Sequence, residues 1–77
     1  MSERILIVDD EESILDIMVQ LLSPQGYECH TEKSPLRAVE RLQSEEFALL
    51  LTDVRMPEMN GIEVVRRARA ISPELSI

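Results

Sequence analysis

The run Phe47-Ala48-Leu49-Leu50-Leu51-Thr52 is uncharged, ends on the carboxylate Asp53, and leads at once into a loop containing Pro57. A short apolar run bounded by turn signals reads as a strand buried on both faces. Asp53 then sits at the carboxyl end of that strand, where open α/β sheets place their ligands. This constrains the rest of the chain, because a strand buried on both faces needs helices above and below it.

The remaining segments supply them. Arg4-Ile5-Leu6-Ile7-Val8 is β-branched and apolar and ends on Asp9-Asp10, so it reads as a first strand. Asp9, Asp10, Glu11 and Glu12 suit the positive end of a helix macrodipole. Ile14, Leu15, Met18, Leu21 and Leu22 recur at helical spacing and predict a buried stripe, stopped by Ser23-Pro24-Gln25-Gly26. Tyr27 to Thr31 predicts a short edge strand. It contains His30, the single histidine, which shows no partner pattern and is expected at the surface or edge. Ser34-Pro35 opens a second helix as N-cap and first helical residue, with Leu36, Val39 and Leu42 facing inward and fraying in Ser44-Glu45-Glu46. Asn60 and Glu63 have the spacing of a capping pair; Ile62, Val65, Ala68 and Ile71 are expected to line the inner face of a third helix. Leu75-Ser76-Ile77 reads as the start of a fourth strand.

Strands that alternate with helices predict an α/β fold with a parallel sheet and right-handed crossovers. Seventy-seven residues allow one domain. Aromatic content of 3% makes the core aliphatic, and the net charge of −7 repels phosphate backbones, which argues against direct nucleic-acid binding by this segment. Arg66, Arg67 and Arg69 read as a solvated helix face. Cys29, the lone cysteine, reads as a small buried hydrophobe. With no signal-peptide pattern and no apolar stretch of membrane-spanning length, the chain is expected to be cytoplasmic.

The first and third strands both end in acids. If they are neighbours about 5 Å apart, Asp9, Asp10 and Asp53 converge at one edge. Like charges so close demand a cation, and hard oxygen ligands suit Mg²⁺. The plainer reading has Asp9 and Asp10 only capping the first helix, a task for which one acid suffices.

Two stretches resemble the receiver domain of bacterial two-component response regulators: Ile5-Leu6-Ile7-Val8-Asp9-Asp10-Glu11, and Leu51-Thr52-Asp53-Val54-Arg55-Met56-Pro57-Glu58-Met59-Asn60-Gly61. The resemblance implies a flavodoxin-like, doubly wound parallel sheet that stops after its third β-α unit, so residues 1–77 are expected to be part of a receiver domain. It implies that Asp53 is the phosphoacceptor, taking a phosphoryl group from a phosphohistidine of a sensor histidine kinase. It further implies that Asp10 ligates Mg²⁺ directly, Asp9 holds the ion through water, and Arg55 ligates it by its backbone carbonyl. Pro57 and Gly61 match loop positions that shape the turn.

The family also grips the phosphoryl group with a Ser or Thr and a Lys on later strands. Neither can be assigned within these residues, and Lys33, the single lysine, sits elsewhere. The 77 residues alone are therefore not expected to act as a working switch, and an output domain, expected to bind DNA, would follow. Arg55 stands where a haloacid-dehalogenase-like phosphatase needs a second Asp, and two glycines cannot build a P-loop. The rival reading is a receiver-like interaction scaffold that never carries phosphate. Finally, the strand ending at Thr52 is expected to present an open apolar edge, and such edges recruit other chains, so a dimer or a swapped assembly is expected.

Overall fold

The computed structural model describes residues 3–53, 59–73 and 75. Arg55 and Pro57 lie outside them, as do Ser76 and Ile77, so the fourth strand is left without description beyond Leu75, which is buried. The elements run β1 (Arg4–Val8), α1 (Glu12–Leu22), a 3₁₀ turn (Ser23–Gln25), β2 (Glu28–Glu32), α2 (Pro35–Ser44), β3 (Leu49–Thr52) and α3 (Gly61–Ile71). All three strands are parallel, in the order β2-β1-β3, with Ile5 opposite both Cys29 and Leu49, and Val8 opposite both Glu32 and Thr52. The expected doubly wound α/β architecture is present.

Local chemistry sets the boundaries. Gly26 ends the first helical segment at φ +96°, the left-handed region that costs other residues strain. The Ser34 hydroxyl accepts the Arg37 N–H at 3.4 Å, and Pro35 follows it as the first helical residue. The Asn60 side chain accepts the Glu63 N–H at 2.9 Å. The Glu63 carboxylate is shared by Arg66 and Arg67, so those exposed arginines are partly neutralised along one helix face.

β1, at the centre of the sheet, is buried on both faces. Leu6 and Val8 join Leu50, Val39, Leu42, Val64 and Ala68 on the α2–α3 side, while Ile5 and Ile7 meet Leu15 on the α1 side. β3 is shorter than expected, because Phe47 leaves the strand and drops into the core. Its two faces are covered unequally: Leu50 is fully buried, while Leu49 and Leu51 are partly buried against the cluster of Ile5, Ile7 and Leu15.

Several expected core residues face water. Ile14 and Leu21 on α1, Leu36 on α2 and Ile62 on α3 are exposed, the last at 69%. Pro35, Ala38, Gly61 and Val64 occupy the interior instead. Val39, Leu42 and Ala68 stay inward as expected, while Pro35 and Ala38 take the place of Leu36 on α2, and Gly61 and Val64 that of Ile62 on α3.

The amino-terminal end of the sheet is closed by a polar cluster around Phe47. Arg4 donates to Glu45 at 2.6 Å, to Glu28 at 3.1 Å and to the Glu46 carbonyl at 3.1 Å. Arg41 donates to Glu45 at 2.9 and 3.2 Å. Both guanidiniums lie over the Phe47 ring, at 4.7 and 5.5 Å from its centre. The hydrogen bonds from Arg41 first, and from Arg4 second, pull the Glu45 carboxyl down to about 2.

Candidate functional site

At the opposite end of the sheet β1 and β3 deliver their terminal acids side by side. The Asp53 N–H donates to the Val8 carbonyl at 3.1 Å, and the Asp9 N–H donates to the Glu32 carbonyl at 3.1 Å. Both bonds continue the parallel ladder one step beyond the strands, so backbone pairing fixes where the two aspartates emerge. Asp9 has a second task, because its Oδ1 accepts the Glu11 N–H at 2.9 Å. That bond shapes the turn into α1, which begins at Glu12 rather than at the aspartates themselves.

Asp9, Asp10 and Asp53 each offer a carboxylate oxygen, and these oxygens all lie within 4.8 Å of one another. Asp10 is exposed to solvent. In an octahedral Mg²⁺ shell with ligands at about 2.1 Å, two oxygens stand at most about 4.2 Å apart. The cluster therefore fits such an ion after a small rotation of one carboxylate, or with one acid acting through a water. Three negative charges in this space repel one another, and a divalent cation relieves that repulsion. The donor set is all oxygen, which suits Mg²⁺ and disfavours soft metals.

The structure thus brings together the three carboxylates expected from the sequence. Arg55 lies outside the described residues. Two features of the surroundings were not read from sequence. Met59, noticed only within the loop motif, is buried in the core cluster with Val8, Leu50 and Val64. The Thr52 hydroxyl donates to the Asp53 carbonyl at 3.1 Å. No local sequence pattern signals either.

The fold and site define an open parallel α/β protein with an acidic centre at the carboxyl ends of adjacent strands, the end at which such sheets take their ligands. Comparison narrows it: residues 5–77 match the response regulator receiver domain model, and the chain belongs to that family. It is 45% identical over 75 residues to the response regulator receiver protein CpdR of Brucella abortus, covering 97% of this chain and 62% of that protein. Among solved structures it resembles a CheY-like receiver domain protein of Methanospirillum hungatei, with a TM-score of 0.94 and 35% identity over 97% of this chain and 60% of that one. It also resembles response regulator TrrA of Thermotoga maritima, solved in complex with Mg²⁺-BeF, with a TM-score of 0.88 and 32% identity over 92% of this chain and 62% of that one. The chain spans about three fifths of the length of these relatives. Among the described residues, no helix is long and apolar enough to cross a membrane.

Proposed function

We propose that Asp53 accepts a phosphoryl group from a phosphohistidine of a sensor histidine kinase in the cytoplasm, and that the modified domain switches an output domain, such as a transcription regulator. Asp10 would hold Mg²⁺ directly, Asp9 through water, and Arg55 by its backbone carbonyl. The observation that supports this most is the meeting of three carboxylates from two strands within 4.8 Å. In the transfer an Asp53 oxygen forms a bond to phosphorus as the P–N bond breaks. The imidazole nitrogen leaves with the electron pair and takes a proton from solvent. The ion supplies neutralisation of the charge gathered on the phosphoryl oxygens. The ladder bond from Asp53 to Val8 holds the nucleophile in place. The chain is thus a phosphoryl acceptor and not an enzyme that turns over a substrate.

The experiment is phosphoryl transfer from a phosphorylated kinase to a chain of the relatives' length, read by mass and by lability to hydroxylamine. Asp53→Asn should abolish the labelled species, and a label that survives this change overturns the assignment. The rival scaffold reading, in which phosphate is never carried, predicts no binding of Mg²⁺ or of beryllofluoride by either chain.

We propose also that the 77-residue chain associates with copies of itself as a dimer or a swapped assembly. This is favoured by a contrast between the two sheet edges. β2 carries Glu28 and Glu32 with their arginine partners, whereas β3 is Leu-Leu-Leu-Thr and carries no charged side chain of its own.

A further inference from the structure

Asp53 is held by main-chain contacts on both sides of its Cα. Its N–H donates to the Val8 carbonyl at 3.1 Å, which sets the peptide plane entering the residue. Its carbonyl accepts the Thr52 hydroxyl at 3.1 Å, which sets the plane leaving it. A residue whose two flanking planes are held has φ and ψ held, since these are its two soft backbone dihedrals. The direction of its Cα–Cβ bond follows, and the side-chain torsions alone remain to aim the carboxylate.

The first contact is a step of the ladder, and Asp9 makes its equivalent with the Glu32 carbonyl. The second is particular to this strand end. β1 and β2 close on Val8 and Glu32, which have no hydroxyl, whereas β3 passes from three leucines to Thr52. Thr52 pairs with Val8 in the register and, because side chains alternate, shares a face with Leu50. It is half-buried, so the shape of a valine would serve the packing alone. Its β-branch restricts χ1, and the hydroxyl is delivered to the Asp53 carbonyl with little rotamer freedom.

The two strand-end acids are therefore fixed differently. Asp9 Oδ1 accepts the Glu11 N–H at 2.9 Å, so that carboxylate is steadied through one of its own oxygens. An N–H donated to a carboxylate stabilises its charged form, which makes the bonded oxygen a weaker nucleophile. The two main-chain bonds at Asp53 take up neither of its carboxylate oxygens.

We propose that Thr52 is a positioning residue for phosphoryl transfer: its hydroxyl locks the Asp53 carbonyl and so sets the direction from which the Asp53 carboxylate meets phosphorus. This rests on the reading of Asp53 as the phosphoryl acceptor. Transfer needs the reacting atoms about 3–3.5 Å apart and aligned, and a misplacement of about 1 Å can cost about 10²-fold. Removing the hydroxyl loosens one restraint and leaves the ladder bond, so a loss of about tenfold is expected.

The test uses a chain of the relatives' length with Mg²⁺ and acetyl phosphate as donor. An Asp53 oxygen bonds to phosphorus, and acetate leaves with the electron pair of the broken P–O bond. Thr52→Val keeps the branched shape without the hydroxyl, and Thr52→Ser keeps the hydroxyl. Thr52→Val should lower the maximal rate about tenfold while the half-saturating donor concentration stays within about twofold. Thr52→Ser should restore the rate to within about threefold of wild type. The Asp53 carbonyl ¹³C resonance should move in Thr52→Val and stay near its wild-type position in Thr52→Ser. Circular dichroism controls for folding, and Thr52→Ala carries the comparison if Thr52→Val does not fold. A Thr52→Val chain as fast as wild type overturns the inference, as do equal losses in Thr52→Val and Thr52→Ser or an unmoved ¹³C resonance. In each of these cases a label abolished by Asp53→Asn leaves the acceptor reading standing. A label that survives Asp53→Asn overturns that reading and the role of Thr52 with it.

Discussion

Arg41 Nη2 lies 2.8 Å from His30 Nδ1, and Glu28 Oε2 lies 2.6 Å from His30 Nε2. A guanidinium can only donate, so Nδ1 must accept and Nε2 must carry the proton that Glu28 receives. His30 lies on the edge strand β2, as expected, but it has partners that the sequence did not signal: it is half-buried, held from both sides and packed edge-on against Phe47 at 5.6 Å. Its ring ¹⁵N shifts at pH 7.5 should report the Nε2–H tautomer. A doubly protonated ring there, or the Nδ1–H tautomer, would show that the Arg41 contact does not form in solution.

Acid stability should depend on Glu45 in the same cluster. Its carboxyl is lowered from 4.5 to about 2 by hydrogen bonds from Arg41 and then Arg4. A depressed carboxyl stabilises the fold above its unfolded value, and that contribution fades as pH falls from 4.5 through about 2. Glu28 and Glu63 are lowered as well, chiefly by His30 and by Arg66 respectively, and add in the same direction. Urea midpoints for Glu45→Gln should fall below wild type at pH 7 and converge with it near pH 2. A constant difference across that range would refute the linkage.

Strand ends were legible because a β-branched run closed by an acid is a local signal, and the parallel ladder then carries Asp9 and Asp53 together. Helix faces were legible only in part. Periodicity locates a stripe but not the neighbour that covers it, so Ala68 was rightly assigned inward, while Gly61 and Val64 fill the place given to Ile62. The edge position of His30 was legible but its contacts were not: its partners Arg41 and Phe47 are distant in sequence, and no local pattern joins them.

That distinction predicts a contrast in stability. Leu50 is fully buried between β1 and the α2–α3 layer, and Leu50→Ala should cost about 3 kcal/mol. Ile62→Ala, at a site 69% exposed, should change stability by no more than about 0.5 kcal/mol. For a chain this small the first change would leave much of the population unfolded at 25 °C by circular dichroism. Similar effects at the two positions would contradict the arrangement of the α3 face.

Caps offer a finer comparison. Asn60 accepts the Glu63 N–H at 2.9 Å, whereas Ser34 reaches the Arg37 N–H at 3.4 Å. Asn60→Ala should therefore cost about 1 kcal/mol, near the middle of the range for lost N-caps, and Ser34→Ala less. Because Asn60 also starts the helix that follows the Asp53 loop, its loss should broaden amide signals around Met59 before those of α2. An order of costs with Ser34 above Asn60 would sink the assignment.

The acidic cluster should couple folding to Mg²⁺. An ion that binds the folded carboxylates and not the unfolded chain stabilises by RT ln(1 + [L]/Kd), about 1.4 kcal/mol at ten times Kd. Asp9, Asp10 and Asp53 are brought within 4.8 Å only when β1 and β3 pair, so the unfolded chain has no comparable site. Mg²⁺ should raise the thermal midpoint of the wild-type chain, and Asp53→Asn or Asp10→Asn should remove most of that rise. The same substitutions relieve repulsion, so without the ion they should match or exceed wild type in stability. The two effects therefore cross as Mg²⁺ is added, which general ionic screening by NaCl at equal ionic strength cannot reproduce. Parallel curves for wild type and Asp10→Asn would show that these carboxylates do not hold the ion.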